Sequence, residues 1–221
     1  MSFQIAIDGP AGAGKSTIAR KVSAELGFIY VDTGAMYRAM GLFFLDRKID
    51  SRDLEKVKAS LDDAVIELEI VDGVQHVILN GEDVSTRIRT EEAGMMASAV
   101  SAIGEVREKL VSMQQQIAAS RSIVMDGRDI GTVVLPHAPL KIFLTAGVMV
   151  RAERRYKELL AKGQEPDLAA IAADIEKRDH QDMTRAVSPL KQAEDAILLD
   201  TSDMNIEEVT EAIIRLAKER L

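Results

Sequence analysis

The stretch Gly9-Pro10-Ala11-Gly12-Ala13-Gly14-Lys15-Ser16-Thr17 constrains this chain more than any other. It contains a complete G-x-x-x-x-G-K-[ST] pattern, and it lies between Phe3-Gln4-Ile5-Ala6-Ile7, which reads as a buried strand, and a run from Thr17 that reads as a helix. Gly9, Gly12 and Gly14 let the backbone bend so that successive N–H groups point inward at an anion, and the following helix adds its positive end. Lys15 can then reach the β and γ phosphates, and the Ser16 hydroxyl can ligate Mg²⁺. A strand-loop-helix of this composition predicts binding of a nucleoside triphosphate.

Composition narrows the setting. The chain has 221 residues, enough for one large domain or a core with small appendages. A net charge of −8 argues against a general nucleic-acid or membrane-surface binder, because either partner would repel it. There is no cysteine, so disulfides, thiol catalysis and Cys-ligated zinc are excluded. No basic leader with an apolar segment is visible, and no run of about 18 apolar residues offers a membrane span. The expectation is a cytoplasmic enzyme.

Beyond the first helix, Gly27 ends the run and Phe28-Ile29-Tyr30-Val31 reads as a second buried strand. Asp32 or Thr33 is positioned to cap the next helix, with Arg38 little more than one turn on. That start suits a second phosphate, although alone it reads more readily as a capped helix with a surface arginine. Residues 50–63 read as a charged helix. Alternation at Ile66, Leu68 and Ile70, the turn pair Asp72-Gly73, a strand over Gln75–Leu79 and the pair Asn80-Gly81 predict a small antiparallel sheet within residues 62–90. Tight hairpins do not belong to βαβ units, so this segment interrupts an α/β core.

Residues 91–119 read as one helix with Met95, Met96, Val100, Ile103, Val106, Leu110, Met113 and Ile117 forming a core stripe. The segment Ser122–Asp129 reads as a buried strand ending in Asp126, where an acid beside a phosphate loop can hold Mg²⁺ through its water shell. Arg128 and Asp129 follow at once. After a strand over Leu140–Leu144, the predicted helix Val148–Lys162 carries Arg151, Arg154 and Arg155 on one face. Gly163 and Pro166 break the chain before a second helix with Arg178, Asp182 and Arg185 on one face. The pair resembles a closing flap that brings positive charge over transferring phosphates, whereas each helix alone reads rather as a solvated, salt-bridged face. A strand over Ala196–Asp200 and a helix with the stripe Ile206, Val209, Ile213 and Leu216 complete five buried strands alternating with helices. The predicted class is α/β: a P-loop NTPase core with a five-stranded parallel sheet flanked by helices, a small antiparallel β insertion and a short helical lid.

These motifs together resemble the P-loop nucleoside monophosphate kinases, and more closely the bacterial cytidylate kinase family, over essentially the whole chain. The resemblance rests on Ile5–Thr17, on Asp32-Thr33-Gly34-Ala35-Met36-Tyr37-Arg38, on Asp126-Gly127-Arg128-Asp129-Ile130-Gly131-Thr132-Val133-Val134, and on Arg178-Asp179 to Arg185-Ala186-Val187-Ser188-Pro189-Leu190. It implies a single kinase unit over residues 1–221, with core 1–61 and 91–221, a monophosphate-binding insertion near 62–90 and a lid near 150–166. It implies transfer of the ATP γ-phosphoryl group to CMP or dCMP in pyrimidine nucleotide metabolism, with Mg²⁺ held by Ser16 and Asp126. Gly9 through Thr17 would bind ATP. Lys15, Arg128, Arg185, Arg151 and Arg154 would act on the transferring group. Thr33, Arg38, Arg128 and Arg185 would hold the acceptor phosphate; Ser98, Arg107 and Asp129 would read cytosine; Arg178 and Asp182 would contact the pentose. Thr33 replaces the serine associated with this position in relatives and keeps the hydroxyl. The implied partners are these small molecules alone, with no nucleic acid or membrane and with a monomeric protein.

The chemistry agrees with the residues. Phosphoryl transfer between anionic oxygens requires positioning and charge neutralisation more than covalent catalysis, so His76, His137 and His180 are not needed as bases. An acceptor such as Asp129 and a donor such as Arg107 can separate cytosine from uracil. Other P-loop kinases, acting on UMP, shikimate or dephospho-coenzyme A, are the alternatives within enzymes. A nucleotide-gated switch is the alternative outside them, disfavoured by the absence of an Asn-Lys-x-Asp guanine-reading segment.

Overall fold

The computed structural model describes residues 2–71 and 74–221. In chain order the elements are β1 (Gln4–Asp8), α1 (Lys15–Leu26), β2 (Ile29–Asp32), α2 (Thr33–Asp46), α3 (Leu54–Ser60), β3 (Ile66–Val71), β4 (Val74–Leu79) and β5 (Glu82–Asp83). There follow α4 (Glu91–Val100), α5 (Gly104–Ser120), β6 (Ile123–Gly127), β7 (Leu140–Thr145), α6 (Val148–Ala161), α7 (Leu168–Thr184), β8 (Ile197–Asp200) and α8 (Ile206–Lys218). The chain divides into two compact units, Met1–Tyr30 with Ala118–Leu221, and Val31–Ile117.

The first unit is built on a five-stranded sheet of order β2-β6-β1-β7-β8, in which β1 runs parallel to both β6 and β7, and β7 to β8. Ile5, Ile7, Ile142 and Leu144 are almost completely buried and pack with Ile18 and Val22 of α1 and Val209 and Ile213 of α8. Burial of each such side chain contributes about 1.5–3 kcal/mol. Because β1 is central and pairs Ile7 with Asp126 and Asp8 with Gly127, its carboxyl end and that of β6 open side by side. That edge is where α/β sheets take ligands. The last strand is not buried as expected: β8 is an edge strand with Leu198 56% exposed. On α8, Ile206 lies outside the apolar stripe, next to a capping box made by Asn205 and Glu208.

In the second unit, α2, α4 and α5 gather around Met36, Met40, Phe44, Val100, Val106 and Leu110 with the inner face of the antiparallel sheet β3-β4-β5. A Cβ on Gly41 would lie 2.9 Å from the Ala97 amide nitrogen, so the bare backbone at Gly41 is what lets α2 and α4 approach. The hairpin expected at Asn80-Gly81 connects β4 to β5, whereas the expected Asp72-Gly73 turn lies outside the described residues. The helix expected over 91–119 is two helices. Ser101 Oγ bonds back to the Ser98 carbonyl, the amides of Ala102 and Ile103 close tight turns onto Ala99 and Val100, and α5 restarts at Gly104. Met95 faces solvent, at 60% exposure, while Val100, Val106 and Leu110 lie in the core.

Candidate active site

Gly9 leaves β1 where a side chain has no room: a Cβ there would lie 1.9 Å from the Leu144 carbonyl oxygen on β7. The loop then delivers Lys15 as the first residue of α1, behind Gly14 in a left-handed conformation. Lys15 is buried, and its Nζ donates to the Pro10 carbonyl at 2.7 Å, folding the side chain back over the loop. Burial lowers its pKa to about 7, reinforced by the Arg128 charge and opposed by Asp126, Asp8 and Asp182. Five charged groups from the loop, β1, β6 and α7 therefore share one electrostatic neighbourhood.

Ser16 Oγ donates to Asp126 Oδ2 at 2.8 Å, and the Tyr30 hydroxyl donates to Asp126 Oδ1 at 2.9 Å. Asp126 is buried at the end of β6. The donor set, one hydroxyl and one carboxylate beside a phosphate loop, has the hard-oxygen chemistry that Mg²⁺ requires when most of its remaining ligands are waters and phosphates. Outside this cluster, the Arg20 guanidinium stacks 5.4 Å from the centre of the Tyr30 ring.

Asp8, the last residue of β1, accepts the N–H groups of Ile130 and Gly131 at 2.7 Å each. These open a π-helical turn, Ile130–Val134, directly after Arg128 and Asp129. Burial raises the Asp8 carboxyl to about 6, with the two N–H groups holding it down against that penalty and Asp129 pushing it further up. Arg128 Nε donates to Asp182 Oδ2 at 2.6 Å, and Asp129 is buried beside it.

The arginine-bearing helices distribute their charges unequally. Arg151 is buried and paired with Asp179, with further bonds to the carbonyls of Ala146 and Ala11. Arg154 donates to the Thr201 carbonyl at 2.6 Å and to its hydroxyl at 3.3 Å. Arg155 is exposed on a bridge to Glu158, and Arg178 is exposed on a bridge to Asp174. Arg185 caps the end of α7 and donates from Nε to the Ser188 carbonyl at 2.6 Å.

The remaining predicted residues lie in the second unit. Thr33 is buried at the first turn of α2, whose start is capped by the Asp32 carboxylate accepting from the Ala35 amide. Arg38 is exposed one turn later. Ser98 is exposed on α4. Arg107 is buried, with Nη1 donating to the Ser101 carbonyl and its guanidinium 5.6 Å from the Tyr37 ring centre.

Three participants escaped the motif reading. Asp8 carries the signal used for Asp126, an acid ending a buried strand. Tyr30 is the polar tip of an otherwise apolar strand. Asp179 follows Ile171 and Ile175 at four-residue steps, and Ile175 marks the buried side of α7.

Similarity to known proteins agrees with this geometry. The sequence matches the family model described as cytidylate kinase over residues 5–219. A cytidylate kinase of Caldicellulosiruptor saccharolyticus is 53% identical over 214 residues, covering 97% of this chain and 95% of that protein. One of Streptococcus pneumoniae is 52% identical over 221 residues, covering 100% and 99%. An uncharacterized protein from Eubacterium ventriosum shares the fold, with a TM-score of 0.57 at 12% identity over the full length of both chains. A phosphate loop with its lysine folded inward, an acid ending the neighbouring strand, and sequence identity above one half across the whole length place this chain in the cytidylate kinase family.

Proposed function

We propose that the protein transfers the γ-phosphoryl group of ATP to CMP or dCMP, giving CDP or dCDP and ADP, in pyrimidine nucleotide metabolism. The observation that carries this reading is the meeting of Lys15, Ser16, Asp126 and Arg128 at adjoining strand ends, on a chain more than half identical to cytidylate kinases. Gly9 to Thr17 bind the ATP phosphates through loop amides and the helix start. Lys15 exchanges the Pro10 carbonyl for phosphate oxygens and neutralises charge on the group in transfer. Ser16 and Asp126 would hold Mg²⁺, which would supply positive charge against that of the transferring phosphates.

Thr33, Arg38, Arg128 and Arg185 are assigned to the acceptor phosphate. Asp129, Arg107 and Ser98 are assigned to cytosine, and Arg178 and Asp182 to the pentose. Arg154 is assigned to the transferring group, together with Lys15. For Thr33, Arg38, Arg128, Asp129, Arg178, Asp182 and Arg185 the support is their place in the family motifs, and for Arg128 and Asp182 also their action on Lys15; Ser98, Arg107 and Arg154 rest on the family resemblance as a whole. Among the described residues no helix is long and apolar enough to cross a membrane. The substrates are the support for a cytoplasmic location, and a monomer is expected because every motif residue lies in one chain.

The test is ADP release from ATP across CMP, dCMP, UMP, other monophosphates, shikimate and dephospho-coenzyme A. The reading expects CMP and dCMP to lead. Preference for another acceptor changes the substrate, and ATP binding without any transfer favours a switch.

A further inference from the structure

Arg151 was expected to reach over the transferring phosphates, yet its guanidinium is committed elsewhere. Nε donates to the Ala146 carbonyl at 2.8 Å, Nη1 to the Ala11 carbonyl at 2.9 Å and to Asp179 Oδ1 at 3.1 Å, and Nη2 to Asp179 Oδ2 at 2.6 Å. The residue is 3% exposed and Asp179 is 9% exposed. An arginine fork bonded to a carboxylate at both ends has little freedom to swing outward.

Its contact with the loop has a geometric consequence. The Ala11 carbonyl and the Gly12 N–H belong to one planar trans peptide unit and point in opposite directions. Holding the carbonyl toward Arg151 therefore turns the Gly12 N–H away from it. Gly12 itself is left-handed, with φ 74°, and a Cβ on it would lie 3.5 Å from Arg151 Cβ, so helix α6 packs directly behind the loop. Lys15 holds the preceding carbonyl, that of Pro10. Two consecutive carbonyls of the loop are thus fixed by side-chain cations, one from within the loop's own helix and one from α6.

We propose that Arg151, held by Asp179, is a positioning residue that sets the Ala11–Gly12 peptide of the phosphate loop so that its N–H is ready to receive a nucleotide phosphate. It acts through the loop and touches no substrate. Asp179, which lies on α7, belongs to the same device, so α6 and α7 are tied to the nucleotide site by one buried ion pair. This rests on the proposal that the loop binds ATP and ADP.

The experiment uses Arg151→Lys and Asp179→Asn in the full chain. Lysine keeps a cation able to meet Asp179 but cannot donate to Ala146, Ala11 and both carboxylate oxygens together. Asparagine keeps shape and one acceptor but removes the charge that holds the fork. The reading is ADP and CMP affinity by calorimetry, together with kcat. ADP is the discriminating probe because it lacks the group being transferred. In both variants ADP affinity falls about tenfold or more, the scale on which small misplacements behind a site act, while CMP affinity holds. Unchanged ADP affinity with a reduced kcat in Arg151→Lys overturns the proposal and returns Arg151 to the transferring group. Parallel loss of ADP and CMP affinity with a lowered melting temperature also overturns it, reducing the pair to general packing. Failure of the unsubstituted protein to bind ADP instead removes the nucleotide reading itself.

Discussion

Arg128 and Asp182 pair at 2.6 Å across 54 residues of sequence, joining the end of β6 to α7. Both side chains remain partly open to solvent, at 29% and 23% exposure, so the pair contributes little to stability, ~1 kcal/mol or less. Its weight lies in charge placement, because Arg128 and Asp182 act on Lys15 in opposite senses. Asp182→Ala is expected to lower kcat/KM for CMP by about tenfold to a hundredfold, with a melting temperature close to that of the parent. A large thermal loss with intact kinetics would make the pair structural.

Lys15 should destabilise the protein it serves. Its folded-state pKa is about 7 against an ordinary 10.5, so between those values the unfolded chain binds more protons than the folded one. The penalty is full below pH 7, shrinks as pH rises and is gone near 10.5. Lys15→Met, which fills the same volume without charge, is expected to abolish transfer and to raise stability by a few kcal/mol at pH 6. Thermal melts from pH 6 to 10 should show the gain fading with pH. A gain independent of pH would locate it in packing.

The crossing of α2 and α4 depends on Gly41. Adding a methyl group 2.9 Å from the Ala97 nitrogen and 3.1 Å from the Ala93 carbonyl meets backbone, which cannot rotate aside. Gly41→Ala is expected to cost about 1–3 kcal/mol by overpacking, despite the better helix propensity of alanine. Denaturant titration measures this; a neutral or stabilising result would mean that the helices separate freely.

Local chemistry was legible in the sequence, and the direction of side chains was not. The phosphate loop, the cap at Asp32, the hairpin at Asn80-Gly81 and the acid at Asp126 depend on neighbours a few residues away. Helical spacing likewise placed Arg151, Arg154 and Arg155 on one face. It could not say that Arg151 turns inward, because that depends on Asp179, 28 residues away on α7. The division of α4 from α5 was hidden for a similar reason: apolar spacing continues through Val100, Ile103 and Val106, while the break is made by tight-turn hydrogen bonds at residues 101–103. Asp8 carries the same strand-end signal as Asp126, but its task is not local, because its partners, Ile130 and Gly131, are more than 100 residues on.

Asp129 tests base selection. It is buried at the start of the π-helical turn whose first N–H groups Asp8 clasps, so its position is fixed by the fold. Of cytosine and uracil, only cytosine offers an exocyclic amine to a carboxylate. Asp129→Ala is expected to compress the CMP-to-UMP ratio of kcat/KM by more than tenfold, the scale of discrimination by a buried polar group, with ATP affinity little changed. An unchanged ratio withdraws Asp129 from recognition of the base.

Tyr30 gives the sharpest test of the proposal that Ser16 and Asp126 hold Mg²⁺, because its hydroxyl bonds Asp126. Its hydroxyl donates to Oδ1 while Ser16 donates to Oδ2, so the two hydroxyls hold the carboxylate from its two oxygens. The Tyr30 bond would fix the rotation of the carboxyl group in a metal-bound site. Tyr30→Phe preserves the ring and its stacking on Arg20 and removes the hydroxyl that donates to Asp126. The variant should fold, lose about 0.5–1.5 kcal/mol, and need several times more Mg²⁺ for half-maximal rate, whereas Asp126→Asn should need far more. Competition of Mg²⁺ against Mn²⁺ binding, followed by paramagnetic resonance with ADP present, reads the same shift without turnover. Equal metal affinity in Tyr30→Phe and the parent would show that Asp126 is oriented by Ser16 and the strand end alone.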